Sequence, residues 1–183
     1  SKNNSGVYAG GIVGKANTFV DFSRAGAKVI DAAAPYVLAD YVETEFLRAE
    51  AKERGFAVTG TAESHYNNAI TASILYWGGT AADAAAYLAQ PDVAYSTAAG
   101  DWKQKIGTQK WIALYNRPYE GWTELRRLDQ PKIAAPVNAK LTSFPTRFSY
   151  PSFEQTLNGA NYTAAASAVG GDLYTVKLFW DKN

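Results

Sequence analysis

The chain has 183 residues, 47% hydrophobic and 14% aromatic, with a formal net charge of +1 and no cysteine. That length and apolar content build one domain with a real core, not a disordered tail. The near-neutral balance gives no electrostatic reason to expect nucleic acid as a partner, and zero cysteines exclude a disulfide framework, a thiolate nucleophile and a Cys-ligated metal.

Residues 1–35 are rich in Gly, Ser and Ala and lack periodicity, so they read as loop or short strands. The opening Ser1-Lys-Asn-Asn-Ser-Gly reads as a loop within a longer protein, which would place any signal peptide or lipid anchor upstream. Gly10-Gly-Ile-Val-Gly14 lacks the Lys-Ser/Thr of a phosphate loop and is read as loop too.

A first helix is expected from Pro35, with Leu38, Tyr41, Val42, Phe46 and Ala49 on one apolar face and Gly55 as its stop. Glu50 and Arg54 are spaced i,i+4 on another face. A second helix carries Tyr66, Ala69, Ile70, Ser73, Ile74 and Trp77 at helical spacing and ends at Gly78–Gly79. The short turn between the two predicts an antiparallel hairpin. Thr80 and Asp83 form a capping-box signature before a third, Ala-rich helix that Pro91 ends. A fourth helix spans about 101–116, where Trp111–Tyr115 is apolar on all sides. Pro118 suits the first turn of a fifth, reaching Leu128. Residues 129–150 read as a long loop with room for one short strand. Pro151 opens a short helix through Leu157, Ala164–Ala168 forms one more turn, and Leu173–Trp180 alternates like a terminal strand or extended tail. The fold class is mainly α: a tetratricopeptide-like α-α superhelix with long irregular loops. Its division is a loop-rich segment over 1–35 and a helical domain over 36–183.

Four stretches together resemble the SusD/RagB family of nutrient-binding outer-membrane lipoproteins. They are Tyr41–Gly55 (YVETEFLRAEAKERG), Tyr66–Gly78 (YNNAITASILYWG), Ile106–Leu114 with Glu120–Arg127 (EGWTELRR), and Pro145–Glu154 followed by Asn158 and Asn161. The resemblance covers roughly residues 35–162 and is to the C-terminal portion of such a protein. The family commonly has a Gly between the Arg pair and the next Pro, where this chain has Leu128-Asp-Gln-Pro131. The resemblance implies a non-enzymatic, surface-exposed protein of the outer membrane, held by an N-terminal lipid anchor outside this chain. It would pass oligosaccharide to a TonB-dependent, SusC-like transporter, with no cofactor.

Aromatic rings on loops are the candidate sugar contacts: Tyr8, Phe19, Phe22, Tyr95, Tyr150 and Trp180. Ordinary packing of those loops onto the helices accounts for any one of them equally well. Trp111, Trp122 and Tyr115 sit within helices at packing spacing and are read as interhelical core. Arg126 and Arg127 are read as a structural fork for a carboxylate, with Glu43, Glu50 and Glu154 as partners; Tyr150 is read as structural too. Glu120 and Glu124 share one helix face, which a glycosidase would require, but such pairs are common on solvated helices. His65, the one histidine, is read as a surface or cap-proximal residue. It stands beside no G-x-S-x-G and excludes a His-cluster metal site by count. Two readings therefore stand beside the sugar carrier: a helical protein-interaction scaffold docking on the transporter, and a glycosidase.

Overall fold

The computed structural model describes residues 2–141 and 143–182. Ser1, at the head of the expected N-terminal loop, Thr142, inside the expected 129–150 loop, and Asn183 lie outside it. The protein is mainly α: among the described residues there are helices, turns and bends but no strand. The strand alternatives for 1–35, 129–150 and 173–180 are thereby replaced by turns. Near the C-terminus the Tyr174 carbonyl accepts from the Thr146 amide (2.8 Å) and hydroxyl (3.1 Å), single contacts that start no ladder.

The chain divides into two compact units, residues 25–133 and residues 2–24 with 134–183. The N-terminal segment thus groups with the C-terminal one, and the division falls at Ala25, not at 35.

The first unit holds α1 (Ala27–Ile30), α2 (Tyr41–Glu53), α3 (Ala62–Tyr76), α4 (Ala81–Leu88), α5 (Trp102–Ala113) and α6 (Pro118–Leu128). α2 begins at Tyr41 and not at Pro35. Asp40, in extended backbone, accepts from the Glu43 amide at 2.7 Å and so fixes the helix start six residues later than proline suggested. Leu38 accordingly lies outside the helix and is 80% exposed. α3 is capped by Thr61 and Ser64, and α4 by Thr80 and Asp83, each a reciprocal pair that satisfies two orphan amides. The Thr80 hydrogen bonds also hold the Asp83 carboxyl below its ordinary value.

α2 and α3 pack as a hairpin, α5 lies against both, α4 packs on α3 and α6 on α5. The core between them is Val42, Phe46, Ala49, Tyr66, Ala69, Ile70 and Ile106, with Val93 inserted from the turn after α4. Tyr66 meets Phe46 and Tyr95 edge-on at 6.2 and 4.9 Å. Its buried hydroxyl donates to the Val93 carbonyl at 2.7 Å, which removes the penalty of an unpaired polar atom in the core. Burial raises the Tyr66 phenol far above its ordinary pKa.

The second unit holds α7 (Ser152–Leu157) and α8 (Gly159–Ala168). α8 is twice as long as expected because it starts at Gly159, directly after the Asn158 that ends α7. Its loops are tied by backbone and side-chain contacts. The Ala9 amide donates to Ser23 Oγ at 2.8 Å, the Val137 amide to the Val13 carbonyl at 3.0 Å, and buried Arg147 pairs with Asp172 at 3.1 Å. No helix among the described residues is long and apolar enough to cross a membrane.

Candidate functional site

Two charge networks hold the helices of the first unit in place. Arg127 of α6 joins Glu50 of α2, and its Nη2 lies 2.6 Å from Glu124. Glu50 also accepts from Arg54 Nε at 2.7 Å, and the buried Lys110 ammonium lies 3.0 Å from Glu124. Burial alone would raise the Glu50 carboxyl, but the hydrogen bonds and charges of Arg127 and Arg54 outweigh it and hold it below the ordinary range. The same two carboxylates hold Arg127 fully protonated. In the second network, Arg117 at the start of α6 reaches Asp40 at 3.3 Å and Glu43 at 3.2 Å.

These contacts sort the charged candidates. Glu50 and Glu43 meet arginines of the first unit, Arg127 and Arg117 respectively. Glu154 belongs to the second unit, where it accepts from Asn158 Nδ2 at 3.0 Å. Arg126 lies over the Trp122 ring at 3.7 Å and donates to the Trp122 carbonyl. Glu124 is 7% exposed and bound to two cations, so it is not on the solvated face expected for it. His65 is likewise not at the surface. It is 4% exposed, with Nδ1 2.8 Å from Glu45 Oε2 and Nε2 2.6 Å from the Thr59 carbonyl. Its partner Glu45 is itself buried and also bound by Arg48 and Asn68.

The aromatic candidates separate by exposure. Tyr8 and Phe19 are 77% and 69% exposed, in the second unit. The Arg24 guanidinium lies 3.9 Å from the Phe19 centroid, and the Lys2 ammonium 5.7 Å from that of Tyr8. Phe22 and Trp180 are half-buried. Tyr150 is covered by Arg147 at 4.7 Å and meets Tyr162 edge-on at 6.0 Å. Tyr95 packs on Tyr66, and its hydroxyl donates to Glu53 at 2.6 Å; burial and that carboxylate push its phenol well up. Trp111 is 39% exposed, and its indole edge lies 3.9 Å from where a side chain on Gly121 of α6 would begin. It thus meets α6 as expected but is only partly covered there, not buried in the core. Tyr115, also expected in the core, is 56% exposed, because α5 ends before it.

The arrangement the sequence reading missed lies in the first unit, where the C-terminal ends of α3 and α5 meet the N-terminal end of α2. A shallow concavity there is lined by Tyr76, Trp77, Tyr115 and Asn116, with Asp40 and Arg117 at its base. Trp77 meets Tyr76 at 5.1 Å and Tyr115 at 5.4 Å, both edge-on. Lys28 donates to the Tyr76 carbonyl, at the negative end of α3, and lies 3.6 Å from the Tyr76 ring centroid. Asn116 has a left-handed φ of 68°, which turns the chain sharply from α5 into Arg117. A sequence signal existed: both helices end on aromatic residues, Tyr76-Trp77 and Tyr115, each followed by a left-handed residue, Gly78 or Asn116.

A stack of antiparallel helices tied by buried arginine–carboxylate pairs, with aromatic rings presented at helix ends and on irregular loops, defines a helical scaffold of the tetratricopeptide-like class. The chain belongs to the SusD-like family: residues 1–151 match the family model described as starch-binding associating with outer membrane. Among solved structures, a SusD homologue from Bacteroides vulgatus superposes with a TM-score of 0.79 at 27% identity, over 97% of this chain and 43% of that one. A SusD-like protein of the Bacteroidetes is 34% identical with a TM-score of 0.70, over 80% of this chain and 30% of that one. A chitin-binding SusD homologue from Flavobacterium johnsoniae is 29% identical with a TM-score of 0.67, over 80% of this chain and 36% of that one. This chain therefore spans well under half the length of each of the three. No curated protein sequence matches it.

Proposed function

We propose that this chain is part of a non-catalytic glycan-binding accessory protein at the outer-membrane surface, held there by an N-terminal lipid anchor outside the chain. It passes oligosaccharide to a TonB-dependent, SusC-like transporter. The observation that carries this reading is the family match over residues 1–151. Exposed rings such as Tyr8 and Phe19 supply what a neutral, hydroxyl-rich ligand needs, an apolar face to lie on. Glu124 supports the non-catalytic part of the reading. A glycosidase needs a carboxyl free to give or take a proton, and this one is bound to Lys110 and Arg127.

Titration calorimetry of the full-length protein against maltoheptaose, chitohexaose, xylohexaose and oligogalacturonate tests the reading. Saturable binding of at least one of them, with no release of reducing ends, is the expected result; silence across all four overturns it.

A second reading, a helical scaffold that docks on the transporter without touching sugar, is favoured by the exposed Trp111 and Ile112 of α5, Tyr115 just after it and Tyr119 of α6. Co-purification of the transporter that survives loss of every exposed loop ring, together with no glycan binding, supports it over the first.

A further inference from the structure

The concavity at the joined ends of α3 and α5 has the composition of a sugar site. Trp77 and Tyr115 stand edge-to-face at 5.4 Å with an interplanar angle of 68°, so they form two walls of a corner. A pyranose ring presents C–H groups of slight positive charge on its flat faces, and these lie favourably on the negative face of an aromatic ring. Polar residues, Asp40, Asn116 and Arg117, line the same hollow. Arg117 is only 6% exposed and is held by Asp40 and Glu43, which occupy two of its five N–H donors. The Asn116 side chain lines the same hollow and makes no hydrogen bond among the described residues. A rigid guanidinium, a carboxylate and a primary amide offer donors and acceptors in fixed planes, which suits adjacent hydroxyls.

Charge decides the class of sugar. Lys28 and Arg117 contribute two positive groups and Asp40 and Glu43 two negative ones, and Arg117 is already neutralised by its carboxylates. The four charges sum to zero, so the corner has no net positive charge to select a uronate or a sulfate.

We propose that this corner is a binding subsite for one ring of a neutral oligosaccharide, with Trp77 as its main platform, Tyr115 as its second wall, and Arg117 and Asn116 as the hydroxyl-binding groups. It rests on the glycan-binding reading above and adds to it a site in residues 25–133, separate from the loop rings Tyr8 and Phe19.

The test uses the full-length protein, the neutral oligosaccharide among maltoheptaose, chitohexaose and xylohexaose that it binds best, and calorimetry. Trp77→Ala is expected to weaken binding about tenfold and Tyr115→Ala severalfold, while Trp77→Phe, which keeps an aromatic face, stays within about threefold. Trp77 fluorescence, read in the full-length protein with every other tryptophan replaced by phenylalanine, is expected to shift on saturation; because it keeps the Trp77 ring, it holds the test if Trp77→Ala fails to fold. Unchanged affinity in the folded Trp77→Ala and Tyr115→Ala variants, or no shift in Trp77 emission at saturation, overturns the subsite while leaving glycan binding intact. Binding of oligogalacturonate that is tighter than that of every neutral glycan and is lost in Trp77→Ala overturns the neutral assignment. Failure of the unaltered protein to bind any glycan overturns both readings together.

Discussion

Arg127 and Glu50 are 77 positions apart in sequence and paired through both guanidinium nitrogens and both carboxylate oxygens. The pair fastens the last turn of α6 to the last turn of α2. Each partner has a second one: Glu124 for Arg127, Arg54 for Glu50. Without Arg127, Glu50 keeps Arg54 and Glu124 keeps Lys110, so the loss stays below the about 3–5 kcal/mol of orphaning a buried charge outright. Arg127→Ala is expected to lose about 1–3 kcal/mol in urea unfolding, the scale of charge-assisted hydrogen bonds. Arg127→Lys is expected to recover only part of it, since an ammonium cannot serve two carboxylates through a planar fork. A Lys variant as stable as the unaltered protein would show that charge alone, not geometry, makes the tie.

The same carboxylates set the acid response. Burial opposes ionisation of Glu45, but hydrogen bonds from His65, Asn68 and Arg48 outweigh it, and its carboxyl ends below the ordinary value, as does that of Glu50. A carboxyl with a depressed folded-state pKa contributes stability that is complete above its unfolded value. That contribution is lost as pH falls through the folded one. The melting temperature is therefore expected to hold from pH 7 to about 5 and to fall steeply below about 4.5, the ordinary carboxyl region. In Glu45→Gln and Glu50→Gln the starting Tm is lower, and the slope below pH 4.5 is shallower. A slope unchanged in both variants would place the acid sensitivity elsewhere.

Local chemistry was readable where it acts over three or four residues. Thr80 with Asp83, Pro118 at the first turn of α6, and the Phe46 and Tyr66 faces all stand in the structure as periodicity and capping rules require. Features that need two distant residues were not readable. His65 is buried because Glu45, 20 positions away on α2, receives it, and no rule of spacing announces that pairing. The Trp77–Tyr115 corner exists only because α3 and α5 end side by side. Trp111 and Tyr115 misled for the opposite reason. An all-round apolar stretch predicts cover on every side, whereas α5 stops at Ala113, before Tyr115, and Trp111 within it stays 39% exposed.

Gly107 and Gly121 make a contrasting pair. Both are helical and both are buried. Helix propensity alone says that alanine at either would add about 1 kcal/mol. A Cβ at Gly107, however, would lie 2.9 Å from the Gln130 Cβ and 3.4 Å from the Leu128 side chain, with no flexible end to move aside. Gly107→Ala is expected to destabilise by about 1–3 kcal/mol through overpacking. At Gly121 the nearest atoms are the Trp111 ring at 3.9 Å, an ordinary contact. Gly121→Ala is expected to be neutral or to gain up to about 1 kcal/mol. Urea midpoints of the two variants, measured side by side, decide it; equal effects would remove the steric argument.

Asp129 ends α6 in the left-handed region, with φ of 56° and ψ of 31°. This is the turn where the SusD-like pattern commonly has glycine within the stretch before proline, and the structure shows how the chain manages without it. Asp is one of the few non-glycine residues that tolerates this conformation, and its carboxylate pairs with Lys132. Both side chains of that pair are more than half exposed, so it contributes little. Asp129→Gly is therefore expected to be neutral or to stabilise by up to about 1 kcal/mol, since glycine adopts a positive φ without steric cost. Asp129→Val is expected to lose about 1–2 kcal/mol, the usual cost of a left-handed L-residue, raised by branching at Cβ. The order of unfolding midpoints, Gly at or above Asp and Asp above Val, is the signature of a backbone requirement; Val equal to Asp would mean the turn relaxes to a right-handed geometry when it is allowed to.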